Sequence, residues 1–173
     1  CDTLLTKEML DQQEAKYPLR MVWCEECSLA QIDYCVDGSL VYHPDYPYRT
    51  GITKELVEYQ NSISKSLVSK YNLKQGDFVV DLGSNDGTLL TGFKEHGMKV
   101  LGVEPTNIAR IANQNGVETV QKFFTVKTAN EIKNKHGKAS LILATNMFAH
   151  MSTIGEVISG IEILLKDDGV FVF

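Results

Sequence analysis

The residues best suited to chemistry lie in one stretch, where a short apolar run ends in an acid and a glycine-bearing loop follows. Residues 78–82 read Phe-Val-Val-Asp-Leu, and residues 83–87 read Gly-Ser-Asn-Asp-Gly. β-Branched residues favour a strand, while Gly83 and Gly87 suit a turn that needs positive φ or close approach of the backbone to a ligand. Asn85 tolerates the left-handed region nearly as well as glycine does. The stretch predicts a strand, a ligand-binding loop and then a helix.

The charge of this loop indicates which ligand it takes. A dinucleotide loop of the form GxGxxG presents backbone N–H groups and a helix N-terminus to a pyrophosphate, so an acid directly before its glycines would repel the ligand. Here Asp81 is that acid, the glycine spacing is GxxxG, and Asp86 adds a second carboxylate. S-adenosylmethionine fits better, because it carries an ammonium and a sulfonium and no phosphate. We expect it to contact Asp81, Gly83, Ser84, Asn85 and Gly87.

Two further cofactor contacts are expected beyond this loop. Glu104 follows the apolar run 99–103 and stands 21 residues after Gly83. Its carboxylate could accept hydrogen bonds from both ribose hydroxyls, with Pro105 at the same subsite. Dinucleotide folds place an acid for ribose at the same spacing, so Glu104 does not separate the two ligands. Asn146, near the end of a later strand, is expected to face the methionine end of the cofactor.

Two side chains could do acid–base chemistry on an acceptor. His150 lies just after the predicted fourth strand, where cofactor and acceptor would meet, and the phenol of Tyr48 could hydrogen-bond the acceptor or the cofactor's carboxylate. The competing interpretation is a histidine satisfied by its neighbours and a tyrosine that only packs beside proline. Phe123 and Phe124 could likewise flank an adenine or belong to the core.

The segment Cys24-Glu25-Glu26-Cys27 is the other constellation with a defined chemistry. A CxxC pair between two extended runs is half of a zinc knuckle, so Cys24 and Cys27 are candidate zinc ligands. Tetrahedral zinc needs four ligands, and only Cys1 and Cys35 remain in this chain. Three interpretations stay open: a four-cysteine site within the chain, a second CxxC upstream of residue 1, or two reduced thiols on a hairpin.

Composition limits the class of protein. The chain has 173 residues, 43% of them hydrophobic, which suits one domain of ordinary size plus an appendage. Its net charge of −5 and pI near 5.4 argue against a nucleic-acid surface, and no run of Lys or Arg overrides that average. No apolar run is long enough for a membrane span, and no signal-peptide pattern opens the chain. We expect a cytoplasmic protein.

The elements that position these residues follow from periodicity. Residues 1–47 are rich in aromatics, prolines and polar turns and show no helical period. Together with the CxxC pair, this predicts a small, incomplete zinc-binding module. Two X-Pro steps then keep the chain extended, and residues 53–71 carry apolar side chains at helical spacing, so residues 48–71 are a linker and a helix. The remaining residues, 72–173, form the cofactor-binding domain.

Within residues 72–173, apolar strands alternate with helical stretches. Strands are predicted at 78–82, 99–103, 117–120, 140–144 and 170–173, and helices at 88–96, 108–113, 126–136 and 154–165. Gly97, Gly116 and Gly137 fall just past three of the helices. This βαβ repetition predicts an α/β fold with a doubly wound, Rossmann-like parallel sheet, and a ligand at the carboxyl ends of its strands.

Several motifs, taken together and in order, resemble the sugar C-methyltransferase family: Tyr17-Pro18-Leu19-Arg20, Cys24-x-x-Cys27-Ser28-Leu29, residues 46–51, residues 81–87 and Asn146-Met147-Phe148-Ala149-His150. The resemblance covers nearly the whole chain. It implies a class I methyltransferase with an N-terminal zinc-binding module. It also implies methyl transfer from S-adenosylmethionine to a ring carbon of a nucleotide-linked 4-keto deoxysugar, after a proton is removed from the carbon beside the ketone.

The chain departs from this family at both ends. Family members have a first CxxC pair upstream of the Tyr17-Pro18-Leu19 segment, and a C-terminal domain whose His, Glu and Tyr residues remove the proton. We therefore expect this chain to bind the cofactor but to show little or no methyl transfer by itself. Two other functions stay open, an oxidoreductase that uses NAD(P) and a non-catalytic module that binds a partner. The sequence does not indicate an oligomeric state.

Overall fold

The computed structural model describes residues 5–173, and the N-terminal part of this range is built around a small hairpin. Strands β1 (Met21–Trp23) and β2 (Ala30–Ile32) pair antiparallel, and the short helix α1 (Gly38–Val41) follows them. None of residues 5–47 is buried. This segment therefore has no hydrophobic core of its own.

The rest of the chain forms a five-stranded parallel sheet with the spatial order β5-β4-β3-β6-β7. The strands are β3 (Phe78–Leu82), β4 (Lys99–Val103), β5 (Thr119–Val120), β6 (Ala139–Leu143) and β7 (Leu165–Val172). The helices are α2 (Lys54–Lys70), α3 (Thr88–Glu95), α4 (Ile108–Gln114), α5 (Val126–His136) and α6 (Ile154–Leu164). The strand order reverses between β3 and β6, and ligands of open α/β sheets bind at such a switch point.

Helices cover both faces of the sheet, so the core has two layers. On β3, Val80 and Leu82 face the layer of α5 and α6, whereas Val79 faces the layer of α2, α3 and α4. A strand buried on both faces reads as a continuous apolar run, which is why residues 78–82 interrupt their apolar character only at Asp81. The predicted doubly wound α/β fold is confirmed.

Helix α2 joins the N-terminal segment to the sheet by packing against α3. It begins after Thr53, whose hydroxyl accepts a hydrogen bond from Leu56 N at 3.3 Å. The two helices approach closely at Gly92, where a Cβ atom would lie 2.1 Å from Ser64 Oγ. None of the helices within residues 5–173 is long and apolar enough to cross a membrane.

Two strands differ in length from the sequence prediction. β5 begins at Thr119 rather than at residue 117, since Gly102 is the first residue of β4 to pair with it. β7 begins at Leu165 rather than at residue 170, because Leu165 already pairs with Ala139 across an irregular register. The intervening residues read Lys-Asp-Asp-Gly, and this polar run gave no strand signal.

Candidate cofactor and acceptor site

The loops after β3 and β4 meet at the carboxyl edge of the sheet. The backbone N–H groups of Gly83 and Ser84 both donate to Val103 O, at 2.8 and 3.2 Å. Gly83, Asn85 and Gly87 have φ of +74°, +51° and +79°, the left-handed backbone that their residue types predict. The loop is thereby folded back over the end of β4.

Close contacts add a second requirement for glycine in this loop. A Cβ atom at Gly83 would lie 2.9 Å from Met147 Cγ, and one at Gly87 would lie 3.0 Å from the Cβ of Val117. Met147 belongs to the loop after β6, so three strand ends contribute to the same place. A side chain at either glycine would displace a neighbour as well as strain the backbone.

Glu104 is held in one orientation by the two loops that flank it. Its Oε2 accepts a hydrogen bond from Asn85 N at 3.1 Å, and its Oε1 accepts one from Thr106 N at 3.0 Å. The residue is only 6% exposed. A carboxylate has about four acceptor positions, so both oxygens keep the capacity to accept a ligand hydroxyl. Pro105 lies between the two anchored residues.

Asp81 sits at the switch point, and its side chain is fully buried. Burial raises its pKa to about 8, with a further contribution from the charge of Glu104. Burial therefore favours the protonated, uncharged form of this carboxyl near neutral pH, whereas the sequence prediction treats Asp81 as a fixed negative charge.

Three buried polar atoms at this loop find no hydrogen-bond partner among residues 5–173. Arg49 Nε lies on the linker side, 3.7 Å from Asp86 Oδ2, whereas Asp81 Oδ1 and Ser84 Oγ belong to the ligand side. Buried polar groups are normally paired, so an orphaned pair beside a glycine loop fits a ligand that supplies hydrogen-bond donors. The ammonium and hydroxyls of S-adenosylmethionine are such donors, and the residues present fit this cofactor.

Asp86 faces the linker instead of the ligand edge. Its Oδ2 accepts a hydrogen bond from Gly51 N at 2.9 Å and lies 3.7 Å from Arg49 Nε. Its Oδ1 accepts from the hydroxyl of Thr88 at 2.6 Å, at the start of α3. The sequence predicts that this carboxylate adds a second charge that disfavours phosphate, whereas the structure pairs it with Arg49.

The predicted acceptor-side residues occupy the same end of the sheet. His150 is exposed and closes a short 3₁₀ turn, in which its N–H donates to Met147 O at 2.9 Å. Asn146 is exposed with φ of +53°. Tyr48 is 53% exposed, and its carbonyl accepts from Asn85 Nδ2 at 3.0 Å. The roles of these residues stay predictions.

The two phenylalanines after β5 have different environments. Phe124 is buried, and its ring lies 2.9 Å from where a Cβ atom on Gly160 of α6 would stand. Phe123 is exposed, and its ring lies 3.6 Å from where a Cβ atom on Gly38, at the start of α1, would stand. Only Phe123 is therefore open to a ligand.

The CxxC turn is closed by two backbone hydrogen bonds. Cys24 N donates to Leu29 O and Ser28 N donates to Cys24 O, both at 2.9 Å, with Ser28 at φ of +59°. Hydrogen bonds from Cys27, above all its backbone N–H, and from Glu26 N lower the pKa of the Cys24 thiol. Thiolates are the zinc-binding form. Among residues 5–173 no cluster of three metal-ligating side chains forms, and Cys1 lies outside this range.

A parallel sheet of this order, with a glycine loop after its first strand and an anchored acid after the second, defines a class I S-adenosylmethionine-dependent methyltransferase domain. A family model described as "Methyltransferase domain" matches residues 56–173, and the chain belongs to this family. A second model, described as "Putative zinc binding domain", matches residues 1–42. The prediction of S-adenosylmethionine as the cofactor agrees with this class of enzyme. The predicted zinc-binding character of the N-terminal segment is supported.

Comparison with individual proteins agrees with this assignment. The chain is 34% identical over 159 residues to the C-methyltransferase NovU from Streptomyces niveus, covering 91% of the chain and 38% of NovU. The chain thus spans 38% of the length of this curated relative.

Two solved structures share the fold. The plantazolicin methyltransferase BpumL in complex with SAH has a TM-score of 0.55 at 17% identity, over 69% of this chain and 48% of that one. A "putative s-adenosyl-l-methionine-dependent methyltransferase" from Methanococcus maripaludis has a TM-score of 0.52 at 13% identity, over 72% and 65% of the two chains.

Proposed function

We propose that this chain carries the cofactor half of an enzyme that methylates a carbon of a nucleotide-linked 4-keto deoxysugar. The observation that carries the proposal is the fixed carboxylate of Glu104 beside the glycine loop, since it offers two oriented acceptors for a ribose. The match of residues 56–173 to a methyltransferase family supports S-adenosylmethionine, rather than a dinucleotide, as the owner of that ribose. The likeness to NovU, whose name states C-methylation, supports a carbon as the methylated atom. The motifs that resemble sugar C-methyltransferases support the class of acceptor.

The described residues divide the binding of S-adenosylmethionine among them. Glu104 would hold the ribose, with Pro105 beside it. The backbone of Gly83 and Ser84 allows the cofactor to approach the end of β3, and Asp81 Oδ1 is an unused acceptor for its ammonium. When bound, the cofactor supplies an electrophilic methyl group on its sulfonium. Asn146, on the loop after β6, would face the methionine end.

Among the residues of this chain, His150 and Tyr48 are the candidates for acid–base catalysis on the acceptor. Removal of a proton beside a ketone needs a positioned base and a group that stabilises the enolate oxygen, and positioned acid–base catalysis contributes about 10²–10⁴-fold. An exposed imidazole on the loop after β6, and the exposed phenol of a tyrosine whose main chain is anchored at the glycine loop, suit these two tasks.

The experiment that tests the acceptor is methyl transfer from [¹³C-methyl]-labelled S-adenosylmethionine to a dTDP-4-keto deoxysugar. It is run on the 173-residue chain and on the complete reading frame. A new carbon-bound methyl signal in the product supports the proposal, whereas a methyl group on oxygen or nitrogen contradicts it. Turnover by the complete reading frame alone would assign proton removal to residues outside 1–173, and turnover by the chain itself would favour His150.

A further inference from the structure

The linker segment Tyr48–Gly51 is bound to the cofactor loop by the side chains of that loop. We propose that Asn85 and Asp86 are positioning residues, which dock this segment as a wall of the active site and couple its docking to cofactor binding. The coupling rests on the proposed cofactor function. The docking itself does not.

Three main-chain groups of the linker are satisfied by two loop side chains. Asn85 Oδ1 accepts from Thr50 N at 2.8 Å, and Asn85 Nδ2 donates to Tyr48 O at 3.0 Å. Asp86 Oδ2 accepts from Gly51 N at 2.9 Å. An asparagine that bonds to the backbone on both sides of Arg49 fixes the direction of the chain there. The main chain of Tyr48 is thereby anchored through its own carbonyl group.

The charge of Asp86 explains why this docking is specific. The Asp86 side chain is 3% exposed, and a buried carboxylate is costly unless cations and donors surround it. Its two oxygens have separate partners: Oδ1 accepts from Thr88 at the start of α3, and Oδ2 faces Gly51 N and Arg49. The linker thus completes the solvation of a carboxylate that α3 satisfies only in part.

Asn85 also connects the linker to Glu104, the proposed ribose-binding residue. Its side chain binds Tyr48 and Thr50, while its backbone N–H donates to Glu104 Oε2. A ligand that immobilises Glu104 therefore favours the loop conformation that docks the linker. Because coupling between two equilibria is reciprocal, a docked linker must raise cofactor affinity by the same factor.

A second anchor holds the segment just before the linker near Glu104. Asn107 N, in the loop after β4, donates to Pro44 O at 3.0 Å. The pKa of Tyr42 is raised by burial of its phenol, then by Tyr46 and Glu104, which places this tyrosine within the field of the ribose acid. The linker therefore follows both loops of the cofactor edge.

The sharpest test is Gly51→Ala, which wedges the linker away from the loop without altering a loop side chain. Gly51 has φ of −83°, so alanine is compatible with its backbone. The new Cβ would lie 2.6 Å from Thr88 Oγ1 and 2.9 Å from Asp86 Oδ2. Gly155→Ala in α6 is the matched control, because a Cβ there meets no described atom within 4 Å. Asp86→Asn is a second variant, which removes the charge and keeps the size.

Two readouts decide the proposal: hydrogen exchange at the amides of Thr50 and Gly51, and the Kd for S-adenosylhomocysteine. We expect Gly51→Ala and Asp86→Asn to speed exchange and to weaken binding about tenfold, a coupling of the usual size, with Gly155→Ala unchanged. In the wild-type chain the ligand should slow exchange at both amides.

Faster exchange in Gly51→Ala with an unchanged Kd would overturn the coupling, and unchanged exchange in both linker variants would overturn the docking. Failure of the wild-type chain to bind S-adenosylhomocysteine would instead contradict the proposed function. The docking would still be tested by comparing hydrogen exchange in the ligand-free wild type and variants.

Discussion

The carboxylate of Glu104 accepts a hydrogen bond from the backbone N–H of Asn85 at 3.1 Å, which ties the acid after β4 directly to the glycine loop after β3. Both partners are placed by the parallel register of β3 and β4, in which Leu82 lies opposite Val103.

Glu104→Ala should weaken binding of S-adenosylmethionine by roughly 2–4 kcal/mol, because two hydrogen bonds from ribose to a charged acceptor are lost. We expect the fold to remain intact, as judged by circular dichroism. Calorimetric titration measures the change, and Glu95→Ala, at an exposed position at the end of α3, is the matched control. Unchanged affinity in Glu104→Ala would show that the ribose is held elsewhere.

Asp81 should make the stability of the chain fall as pH rises. Its pKa is about 8 in the folded chain, against an ordinary value of 3.8 for an exposed aspartate. Between these values the folded chain holds a proton that the unfolded chain releases, so the free energy of unfolding decreases with pH by up to about 1.4 kcal/mol per unit.

Asp81→Asn removes this titration, so its stability relative to the wild type should rise from pH 5 to pH 9. Urea unfolding of both proteins at pH 5, 7 and 9 measures the difference. Parallel pH profiles for the two proteins would mean that the Asp81 carboxyl is already ionised in the folded chain.

Zinc binding should depend on Cys24 and Cys27. Residues 5–47 bury no side chain, and structural zinc contributes about 10–16 kcal/mol to the folding of small modules, so the hairpin needs such a contribution. Metal analysis after purification should find zinc in the wild type and none in Cys24→Ser. Cys35→Ser distinguishes the sources of the other ligands: it should lose the metal if the four cysteines of the chain form the site, and keep it if the other ligands come from outside residues 1–173. A zinc-free, well-folded wild type would contradict the prediction.

His150→Ala and Tyr48→Phe should each lower methyl transfer by about 10²–10⁴-fold if these groups do acid–base work. Neither should change the affinity for S-adenosylhomocysteine by more than a few fold. The assay uses whichever form of the protein turns over, the chain or its complete reading frame. His96→Ala, at the exposed end of α3, is the control for loss of a histidine. Full activity in both variants would remove these residues from the mechanism.

Local sequence signals account for strands β3 and β4 and for the shape of the loop. β-Branched runs gave β3 and β4 at their observed bounds, and Gly83, Asn85 and Gly87 have the positive φ that their types predict. These features depend on neighbouring residues alone, so periodicity and residue type are sufficient to find them.

Features that depend on tertiary environment were not accessible from the sequence. The proton on Asp81 follows from complete burial, which an apolar run suggests but does not quantify. The bonds from Asn85 and Asp86 to the linker join residues 35 positions apart, and no local pattern reports such a pair. One residue in the sequence does reflect this contact: position 51 is a glycine, and a side chain there would collide with Asp86.

The central claim, a pocket for S-adenosylmethionine at the carboxyl edge of β3 and β4, is tested most directly by calorimetric titration of the wild-type chain with S-adenosylhomocysteine and with NAD⁺. We expect saturable binding of S-adenosylhomocysteine, weakened in Glu104→Ala, and no binding of NAD⁺. Tight binding of NAD⁺ without binding of S-adenosylhomocysteine would contradict it.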